Sequence, residues 1–586
     1  MTQSHVEMAL YSASYLMVHA QPAEKERDVI EGVWKFFFER GQAFAVWGKL
    51  FASDQPWKKQ GPSLYRDMAS PLYYASLAGL LRTIRLLIEE GGAEVNAESG
   101  KYGNALQAAS YKGHKEMVEL LLQNGAEVNA KGGGFGNALQ AASYKGQTEV
   151  VELLLQKGAE VNAEGSFYGN ALQAASSGGH KEVVELLLQN GAKVNAEGGL
   201  FGNTLQAASS EGHKEVNGAE VNAKGGEFGN ALQAASYKGH TEVVELLLQK
   251  GAEVNAEGGF YGNALQAASY IGHTEVVELL LQKGTEVNAE GGFYGNALQA
   301  ASSGGYKEVV ELLLQSGAEV NTEGGFYGNA LQAASSEGHT EVVELLLRNG
   351  VKVNAEGGFF GNALQAASVK GHKEVVELLL QNGAEVIAEG GRYGNALQAA
   401  SFRGRKEVVE LLLQNGAEVN VKGGEFGNAL QAASYKGHTE VVELLLQNGA
   451  EVNAKGGGFG NALQAASNKG QTEVVELLLQ NGAEVIAEGG RYGNALQAAS
   501  FRGRKEVVEL LLQNGAEVNA KGGEYGNALQ AASDRGHKEV VELLLQNGAE
   551  VNAKGGEYGN ALQAASDRGH KEIVELLLRN GSEDQG

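Results

Sequence analysis

The sequence predicts an all-α solenoid of about sixteen helix-turn-helix units with a small helical cap at its N-terminal end. The first observation is a repeat: the string Gly-Asn-Ala-Leu-Gln-Ala-Ala-Ser, with Thr204 replacing Ala in one copy, begins fifteen times between Gly103 and Gly559. Every step between copies is 33 residues except the one from Gly202 to Gly229, which is 27. The second observation is a leucine-rich segment after each copy, and the third is a glycine-rich turn after that segment. Because two short helices expose most of their leucine surface, such units become stable only by stacking on one another.

Residues 1–69 differ in composition from the rest and predict the helical cap. All three tryptophans lie there, and the acidic and basic side chains of this segment balance, so the net charge of −24 belongs to the remainder. Apolar residues at helical spacing are Ile30, Val33, Trp34, Phe37 and Phe38. We expect this face to cover the open side of the first repeat. At the other end we expect residues 582–586 to form a polar tail.

The repeat array is expected over residues 70–581. Its first copy is degenerate, since Ser-Pro-Leu-Tyr-Tyr-Ala-Ser stands where the other copies have the common string. One copy, over residues 203–222, is truncated, because the residues equivalent to Val-Glu-Leu-Leu-Leu-Gln are missing between Val216 and Asn217. This loss removes most of one second helix. We therefore expect a weak joint around residues 210–222, visible as fast hydrogen exchange.

A single unit explains why these residues form two helices. Asn104 is a good N-cap, and Gln107 three residues later completes a capping-box pattern. Gly113 can end this first helix in the left-handed conformation. A second, leucine-rich helix is expected over residues 114–123, and Gly125 ends it in the same way. The glycine-rich segment that follows predicts a finger-like turn.

Composition excludes several classes of function. The chain has 586 residues, 71 acidic and 47 basic side chains, and no cysteine, which removes disulfides, thiolate metal sites and cysteine nucleophiles. The acidic excess argues against nucleic acid and anionic membranes as partners. No apolar stretch approaches the roughly 18 residues of a membrane span, and no signal peptide is recognisable. We expect a cytoplasmic monomer that binds other proteins.

The recurrent polar residues do not form a catalytic or metal-binding pattern. The glycine clusters lack the Lys-Ser/Thr of a phosphate loop, and the recurrent serine has no His/Asp partner in its own unit. Ten of the twelve histidines recur at one position, as His114 does, where Gln147, Tyr306, Arg405 or Arg504 stands in other units. A metal site would not tolerate those replacements. We expect structural histidines that cap the second helix, no cofactor and no enzymatic activity.

These residues resemble the ankyrin repeat. The period of 33 residues, Gly-His-Lys-Glu followed by Val-Val-Glu-Leu-Leu-Leu, and Asn-Gly-Ala-Glu-Val-Asn-Ala match its pattern over roughly residues 70–581. The array departs where the family usually has Thr-Pro-Leu-His, because it has Asn-Ala-Leu-Gln, and only Ser70-Pro71-Leu72-Tyr73 keeps the proline. It also replaces the usual Asp-Gly finger turn by Gly-Gly and an aromatic, as in residues 258–261. The resemblance implies a stack of helix pairs that binds protein partners.

A narrower resemblance concerns the segment before the array. Tyr11-Ser-Ala-Ser-Tyr15, His19-Ala20 and the segment from Ser70 to Leu80 look like the helical connector of fungal NACHT–ankyrin proteins, which are NLR-like intracellular receptors. The nucleotide-binding NACHT domain of that family would precede Met1 and is absent from this chain.

Variation among the copies is concentrated at two positions, and we take the residues there as the candidate protein-binding residues. One position follows the recurrent serine and the other precedes the finger aromatic; in ankyrin-like stacks they line the concave groove and the finger tips. The candidates are Tyr111, Lys112, Tyr144, Lys145, Tyr237, Lys238, Tyr270, Phe402, Arg403, Phe501, Arg502, Asp534 and Arg535 after the serine, and Phe167, Phe260, Arg392 and Arg491 on the fingers. Tyrosine and arginine are enriched in binding hot spots. The finger aromatic itself is always Tyr or Phe and is expected to stack between fingers.

The sequence thus predicts a non-enzymatic module that recognises a partner protein. By the narrower resemblance, it would be the ligand-sensing part of a fungal NLR-like defence or self/non-self receptor. Nearly identical blocks over residues 387–424 and 486–523 indicate recent duplication. The alternative is a passive scaffold or spacer whose length matters and whose variable surface has merely drifted.

Overall fold

A computed structural model describes residues 69–165, 167–214 and 219–581. The prediction of an all-α fold is confirmed, because these residues form 31 helices and, besides them, only isolated β-bridges. Except for Ala69, the predicted cap lies outside the described residues, and so does the predicted tail at 582–586.

The chain divides into two compact units, the first ending at Gly292 and the second beginning at Phe293. In the first unit each repeat contributes a first helix and a second helix in turn, except the shortened copy, for which only a first helix lies among the described residues. The helices are α1 (Pro71–Ala78), α2 (Leu81–Glu89), α3 (Ala105–Lys112), α4 (Lys115–Gln123), α5 (Ala138–Tyr144), α6 (Thr148–Gln156), α7 (Ala171–Gly178), α8 (Lys181–Gln189), α9 (Thr204–Ser210), α10 (Ala231–Lys238), α11 (Thr241–Gln249), α12 (Ala264–Ile271) and α13 (Thr274–Gln282).

The second unit repeats the same pair nine times. Its helices are α14 (Ala297–Gly304), α15 (Lys307–Gln315), α16 (Ala330–Glu337), α17 (Thr340–Arg348), α18 (Ala363–Lys370), α19 (Lys373–Gln381), α20 (Ala396–Arg403), α21 (Lys406–Gln414), α22 (Ala429–Lys436), α23 (Thr439–Gln447), α24 (Ala462–Lys469), α25 (Thr472–Gln480), α26 (Ala495–Phe501), α27 (Lys505–Gln513), α28 (Ala528–Arg535), α29 (Lys538–Gln546), α30 (Ala561–Asp567) and α31 (Lys571–Arg579).

Nine of the described first helices begin with a complete capping box. At Asn104 and Gln107, where the sequence predicts one, only the asparagine half forms, because Gln107 Oε1 has no hydrogen-bond partner. At α20 the backbone N–H of Gln398 donates to Asn395 Oδ1 over 2.9 Å, and the Asn395 N–H donates to Gln398 Oε1 over 3.0 Å. Both orphan donors are thereby satisfied. The helix ends at Gly404, whose φ of 69° a residue with a Cβ adopts only with strain.

The core of each unit is built from small residues of the first helices and branched residues of the second helices. Ala399 and Ala400 of α20 are fully buried, so α20 approaches its neighbours α18 and α22 closely. Val409 and Leu412 of α21 are buried just as completely. Burying such a leucine side chain contributes about 2 kcal/mol, and most of that burial requires the adjacent repeats.

The degenerate first repeat keeps the helix pair with different side chains. Ser70 caps α1 by accepting the Tyr73 N–H over 3.2 Å, and Pro71 occupies the first turn, where its missing N–H costs nothing. Tyr73 stands at the position of the recurrent glutamine and is fully buried. Its hydroxyl accepts the N–H of Tyr102 over 3.3 Å. The phenol therefore takes over the contact to the next finger.

At the shortened copy, the first helix and finger are retained. Helix α9 packs against both α7 and α10, and no helix intervenes between α9 and α10 among the residues described there. Gln206 Nε2 donates to the carbonyls of Gly225 and Gly229 over 3.0 and 2.9 Å, as its equivalents do elsewhere. Asn195 Oδ1 accepts the Glu220 N–H over 3.1 Å. The weak joint stays a prediction about the row of second helices, between α8 and α11.

Candidate protein-binding face

In every described first helix except α1 and α30, a buried glutamine holds the finger that follows it. Gln398 is 3% exposed, and its Nε2 donates to the carbonyls of Val421 and Gly427 over 3.0 and 3.1 Å. Its Oε1 is already occupied by the Asn395 N–H. One side chain thus joins the cap of its own helix to a finger 23 to 29 residues further along. The Asn-Ala-Leu-Gln string, where the array departs from the usual ankyrin pattern, is explained by this double role.

Neighbouring fingers are also joined through their backbones. In the second unit the Phe359 N–H donates to the Phe326 carbonyl over 3.0 Å, and the Phe326 N–H donates to the Phe293 carbonyl over 2.9 Å. Within one finger the Gly357 N–H donates to the Gly361 carbonyl over 2.8 Å. The fingers therefore form a fixed platform rather than independent loops.

The invariant finger aromatics stack as the sequence predicts. In the first unit the rings of Phe135 and Tyr168 lie 5.5 Å apart and within 4° of parallel. In the second unit the rings of Tyr492 and Tyr525 lie 6.5 Å apart with an angle of 11°. Such pairs contribute about 1 kcal/mol beyond the area that they bury.

The aromatic candidates that follow the recurrent serine pack between these finger rings. Phe402 lies 5.3 Å from the ring of Tyr393 and 4.5 Å from that of Phe426. Phe501 lies 5.1 Å from Tyr492 in the same way. Phe402 is 8% exposed and Phe501 4% exposed. These two side chains thus contribute mainly to packing, which sequence reasoning about exposed hot spots did not anticipate.

In the first unit the corresponding tyrosines are half-buried. Tyr111 lies 4.3 Å from Tyr102, Tyr144 lies 4.5 Å from Tyr168, and Tyr237 lies 4.5 Å from Tyr261. Tyr270 also lies beside Tyr261, at 5.7 Å. We call the finger rings and the rings between them the ring row.

The cationic candidates lie on the solvent side of the ring row. Lys112, Lys145, Lys238, Arg403, Arg502 and Arg535 are all exposed. Lys145 Nζ lies 5.1 Å from the ring centre of Tyr111, and the Arg535 guanidinium lies 4.2 Å from that of Phe501. Lys145 and Arg535 therefore reach the ring of the preceding repeat, where the negative ring face attracts the cation. Lys238, Arg403 and Arg502 lie over the ring of their own repeat instead.

The finger candidates divide into apolar and charged groups. Phe167 is 53% exposed and Phe260 46% exposed. Arg392 forms an ion pair with Glu425, with Nε 2.9 Å from Oε2. Arg491 pairs with Glu524, and the hydrogen bond from Arg491 lowers the pKa of that carboxyl. At the finger tips of these repeats positive charge is therefore largely neutralised locally.

Asp534 is a candidate that the structure places inside the face. Its side chain is buried, and its Oδ1 lies 2.8 Å from Arg568 Nε while its Oδ2 lies 3.4 Å from Arg535 Nε. Arg568 Nη2 also donates to the Tyr558 hydroxyl over 2.7 Å. The aspartate orients two arginines and is itself shielded from a partner.

Sequence reasoning missed several residues on the same face. Phe326 and Phe359 stack 5.2 Å apart on the fingers and are 37% and 43% exposed. Lys436 lies 4.5 Å above the ring of Phe402. The signal was available, since these residues occupy the same two variable positions as the candidates.

The recurrent histidine is structural, but it does not cap the second helix as predicted. His372 stands at the N-cap position of α19 without making a side-chain cap hydrogen bond. Its Nε2 instead lies 3.0 Å from the carbonyl of Ser336, on the first helix of the preceding repeat. Its ring fills the space beside Gly338, where a Cβ would lie 2.5 Å from Nδ1. The histidine thus joins two repeats.

Burial lowers the pKa of these histidines, and the hydrogen bond to the upstream carbonyl opposes this effect. The pKa is lowered at His114, His273, His372, His438 and His537. Since the folded-state pKa lies below the unfolded value of about 6.5, the unfolded chain binds more protons as the solution is acidified. The contribution to stability is therefore full above about pH 6.5 and is lost as pH falls through the folded-state pKa.

Replacing histidines by glutamine should flatten this pH dependence. Gln471 already occupies the histidine position and packs against Gly437 as the imidazole does elsewhere. We expect the urea midpoint of the triple variant H372Q/H438Q/H537Q to fall less than that of the wild type between about pH 7.5 and about pH 5.5. Equal falls in the two proteins would show that the histidines are not the cause.

An asparagine clamp joins the turns that follow the second helices. Asn354 Nδ2 donates to the Gly383 carbonyl over 3.0 Å, and Asn354 Oδ1 accepts the Glu385 N–H over 2.9 Å. Ile387 and Ile486 stand at this position in the two duplicated blocks and are 54% and 56% exposed. An isoleucine cannot make either hydrogen bond, so both repeats lack the clamp.

Restoring the clamp should stabilise the second unit. We expect Ile387→Asn to raise the free energy of unfolding by about 1 kcal/mol, because two hydrogen bonds form and an exposed apolar side chain is removed. Urea denaturation measures the change. Ile387→Ala removes the same apolar group without adding a clamp, so an asparagine variant no more stable than the alanine variant would contradict the assignment.

Comparison with known proteins agrees with this architecture. A family model described as ankyrin repeats (3 copies) matches the chain over most of its length. The matched residues are 50–132, 133–198, 204–291, 232–324, 265–356, 297–389, 332–423, 387–456, 430–522 and 498–585. Arrays of this family generally mediate protein–protein interaction and are typically non-enzymatic.

Two individual proteins are similar to parts of the chain. The azaphilone pigments biosynthesis cluster protein L of Monascus ruber is 39% identical over 126 residues, which are 20% of this chain and 27% of that protein. The chain therefore matches only about a quarter of the length of this curated relative. The crystal structure of the human ASB11 ankyrin repeat domain is 26% identical, with a TM-score of 0.34, over 38% of this chain and 98% of that one.

In the part of the chain that the structure describes, every helix is too short or too polar to cross a bilayer.

The 33-residue helix pairs, their fingers and the family model that matches them lead to one conclusion: the chain belongs to the ankyrin-repeat proteins.

Proposed function

We propose that this chain is a recognition module that binds a partner protein along its variable face. We define the recognition face as the residues that follow the recurrent serine together with those that precede the finger aromatic. The observation that carries the proposal is a contrast within each repeat. The glutamine, the capping asparagine and the core are nearly constant, while the exposed residues on this face differ from copy to copy.

The buried and the exposed side chains of the recognition face have different roles. The ring row provides a rigid apolar floor, because variable rings such as Tyr144, Phe402 and Phe501 are held between two finger rings. The cations above it, such as Lys145 and Arg403, and the exposed finger phenylalanines, such as Phe167 and Phe260, are the groups that a partner can reach. Preorganised side chains lose little conformational entropy on binding, which favours affinity.

Binding without chemistry is also what the polar residues support. Serine hydroxyls such as those of Ser302 and Ser434 are fully buried and have no hydrogen-bond partner, so they have no base to activate them. The recurrent histidines contact backbone carbonyls of the preceding repeat.

A capture experiment separates this function from a passive spacer. Replacing the rings would disturb packing, so the test reverses surface charges in the variant K112E/K145E/K238E. The matched control is K115E/K181E/K214E, which makes the same charge change at the start of the second helices or, at the truncated copy, at the equivalent position. A recognition module loses captured proteins only in the first variant. A spacer retains them in both, and its capture depends on repeat number alone.

We further propose that the chain is the ligand-sensing array of an NLR-like receptor. The support is the likeness of the segment from Ser70 to Leu80 to the connector of fungal NACHT–ankyrin proteins, together with the recent duplication, which suits a changing repertoire. Sequencing the full transcript from the source organism tests it. A NACHT domain joined upstream in frame is the expected result, and a transcript that encodes this array without one contradicts the role.

A further inference from the structure

The second unit carries a row of positive charge on an otherwise acidic protein. The residue two places after the recurrent serine is basic in seven consecutive repeats. The row consists of Lys370, Arg403, Lys436, Lys469, Arg502, Arg535 and Arg568. The residue just before each of them varies among Val, Phe, Tyr, Asn and Asp. What these repeats share at this position is therefore the charge, since lysine and arginine are both used.

This pattern is confined to one stretch of the chain. The two preceding repeats of the second unit have Gly304 and Glu337 at the same position. In the first unit the position includes Gly178, Glu211 and Ile271 besides lysines. The fold of a repeat consequently does not require a cation there, and packing alone does not explain seven in succession.

The cations are held in place and remain accessible. Lys436 Nζ lies 4.5 Å from the ring centre of Phe402, and Lys469 Nζ lies 4.5 Å from that of Tyr435. The side chain of Lys370 is 42% exposed, that of Arg535 47% and that of Arg568 50%. A cation positioned by a ring keeps its charge and the outer half of its hydrogen-bonding surface.

Acidic residues neutralise the row only in part, at Lys370 and at the two arginines beside Asp534. Lys370 lies 3.8 Å from Glu337, while the buried Asp534 is shared between two arginines. Most of the acid lies elsewhere: helix α21, for example, carries Glu407 and Glu410 on the second-helix side. A negative ligand that approaches the row therefore meets a positive strip flanked by a negative body.

We propose that this cation row binds an extended acidic segment of the partner protein. The inference rests on the proposed recognition function and adds the chemistry of the partner. Neighbouring helices pack about 8 to 10 Å apart, and an extended chain rises about 3.3 Å per residue. A carboxylate at about every third residue therefore meets successive cations, and arginine can hold a carboxylate with two parallel hydrogen bonds.

A peptide fits the row better than a nucleic acid does. The row is one side chain wide, whereas a duplex presents phosphates on two strands and needs a broader basic surface. The net charge of −24 repels a long, uniformly charged polymer, and a short acidic segment with neutral residues between its carboxylates avoids most of that repulsion.

The test uses the full chain and a defined probe. The probe is a fluorescein-labelled peptide of seven Glu-Gly-Ser triplets, and its control has Gln in place of every Glu. Fluorescence anisotropy at about 50 mM and about 200 mM salt measures the affinity. We expect the Glu peptide to bind, the Gln peptide not to bind, and the affinity to fall roughly tenfold with the added salt.

Charge-reversal variants locate the site. R403E/K436E/R502E should weaken binding of the Glu peptide by at least roughly tenfold. The control K373E/K406E/K505E makes the same charge change at the start of the second helices, and it should stay within about twofold of the wild type, since rim charges away from a site act weakly. The neutral variant R403Q/K436Q/R502Q keeps long side chains over the rings and should lose an intermediate amount.

Four results would overturn the inference: no binding of the Glu peptide, equal binding of the Gln peptide, equal loss in the two reversal variants, or tighter binding of a single-stranded DNA of matched charge. These outcomes are separable from the proposed function. If capture of partners still depends on the recognition face while the Glu peptide fails to bind, only the acidic chemistry of the partner is wrong. If capture is indifferent to the face, the recognition function itself fails.

Discussion

Gly358→Ala is expected to destabilise the second unit by about 3 kcal/mol or more. Gly358 has φ of 61°, and a Cβ there would lie 2.0 Å from the Tyr327 carbonyl oxygen and 2.2 Å from its carbon. Both atoms belong to the backbone of the preceding finger, so no side-chain rotation relieves the clash. The finger must move, which breaks the hydrogen bond from the Phe359 N–H to the Phe326 carbonyl.

The matched control is Gly350→Ala in the same repeat. Gly350 has φ of 76°, but nothing lies within 4 Å of a Cβ built on it, so this substitution costs only the left-handed backbone strain of about 1 kcal/mol. Hydrogen exchange of the Phe359 amide directly measures how often its hydrogen bond to the preceding finger opens. Equal loss of protection in the two variants would mean that contact between fingers does not constrain Gly358.

Gln398→Ala is expected to cost about 2 to 3 kcal/mol. The substitution leaves the Asn395 N–H and the carbonyls of Val421 and Gly427 without the partner that now satisfies them. Unpaired buried groups cost more than a net hydrogen bond contributes, because they have also lost water. The finger should open locally, and protection of the Gly423 amide, which donates to the Gly427 carbonyl over 2.7 Å, should fall roughly 30-fold or more.

A glutamine-to-alanine substitution at an exposed position of the same repeat provides the control. Gln414 lies exposed at the end of α21, so Gln414→Ala should leave protection of Gly423 within about twofold, as surface substitutions usually do. If Gln398→Ala is equally mild, then the glutamine column does not hold the fingers, and the Asn-Ala-Leu-Gln string needs another explanation.

Local signals explain why the repeat itself could be predicted from sequence. The capping box at Asn395 and Gln398 joins residues three positions apart, and Gly404 ends its helix through its own φ. Such features depend on chain neighbours and on the 33-residue period. The stacking of finger aromatics followed from that period as well, since identical positions in adjacent repeats must meet.

The candidate site was predicted less completely, because it depends on contacts between repeats. The position of Phe402 between Tyr393 and Phe426 fixes its burial, and no spacing within one repeat reveals which side of a ring faces solvent. His372 stands where a helix cap would be, yet its ring bonds to a carbonyl 36 residues upstream. The sequence pattern places each residue within its repeat, but the contacts of its side chain depend on the neighbouring repeat.

Each repeat is expected to be stable only because its neighbours bury its leucines and hold its finger. Urea denaturation of fragments containing one, three and five consecutive repeats from Gly361 onward tests it most directly. We expect no cooperative transition for one repeat, a cooperative transition for three, and a higher midpoint for five. A single repeat that unfolds with the same midpoint and steepness as three would contradict it.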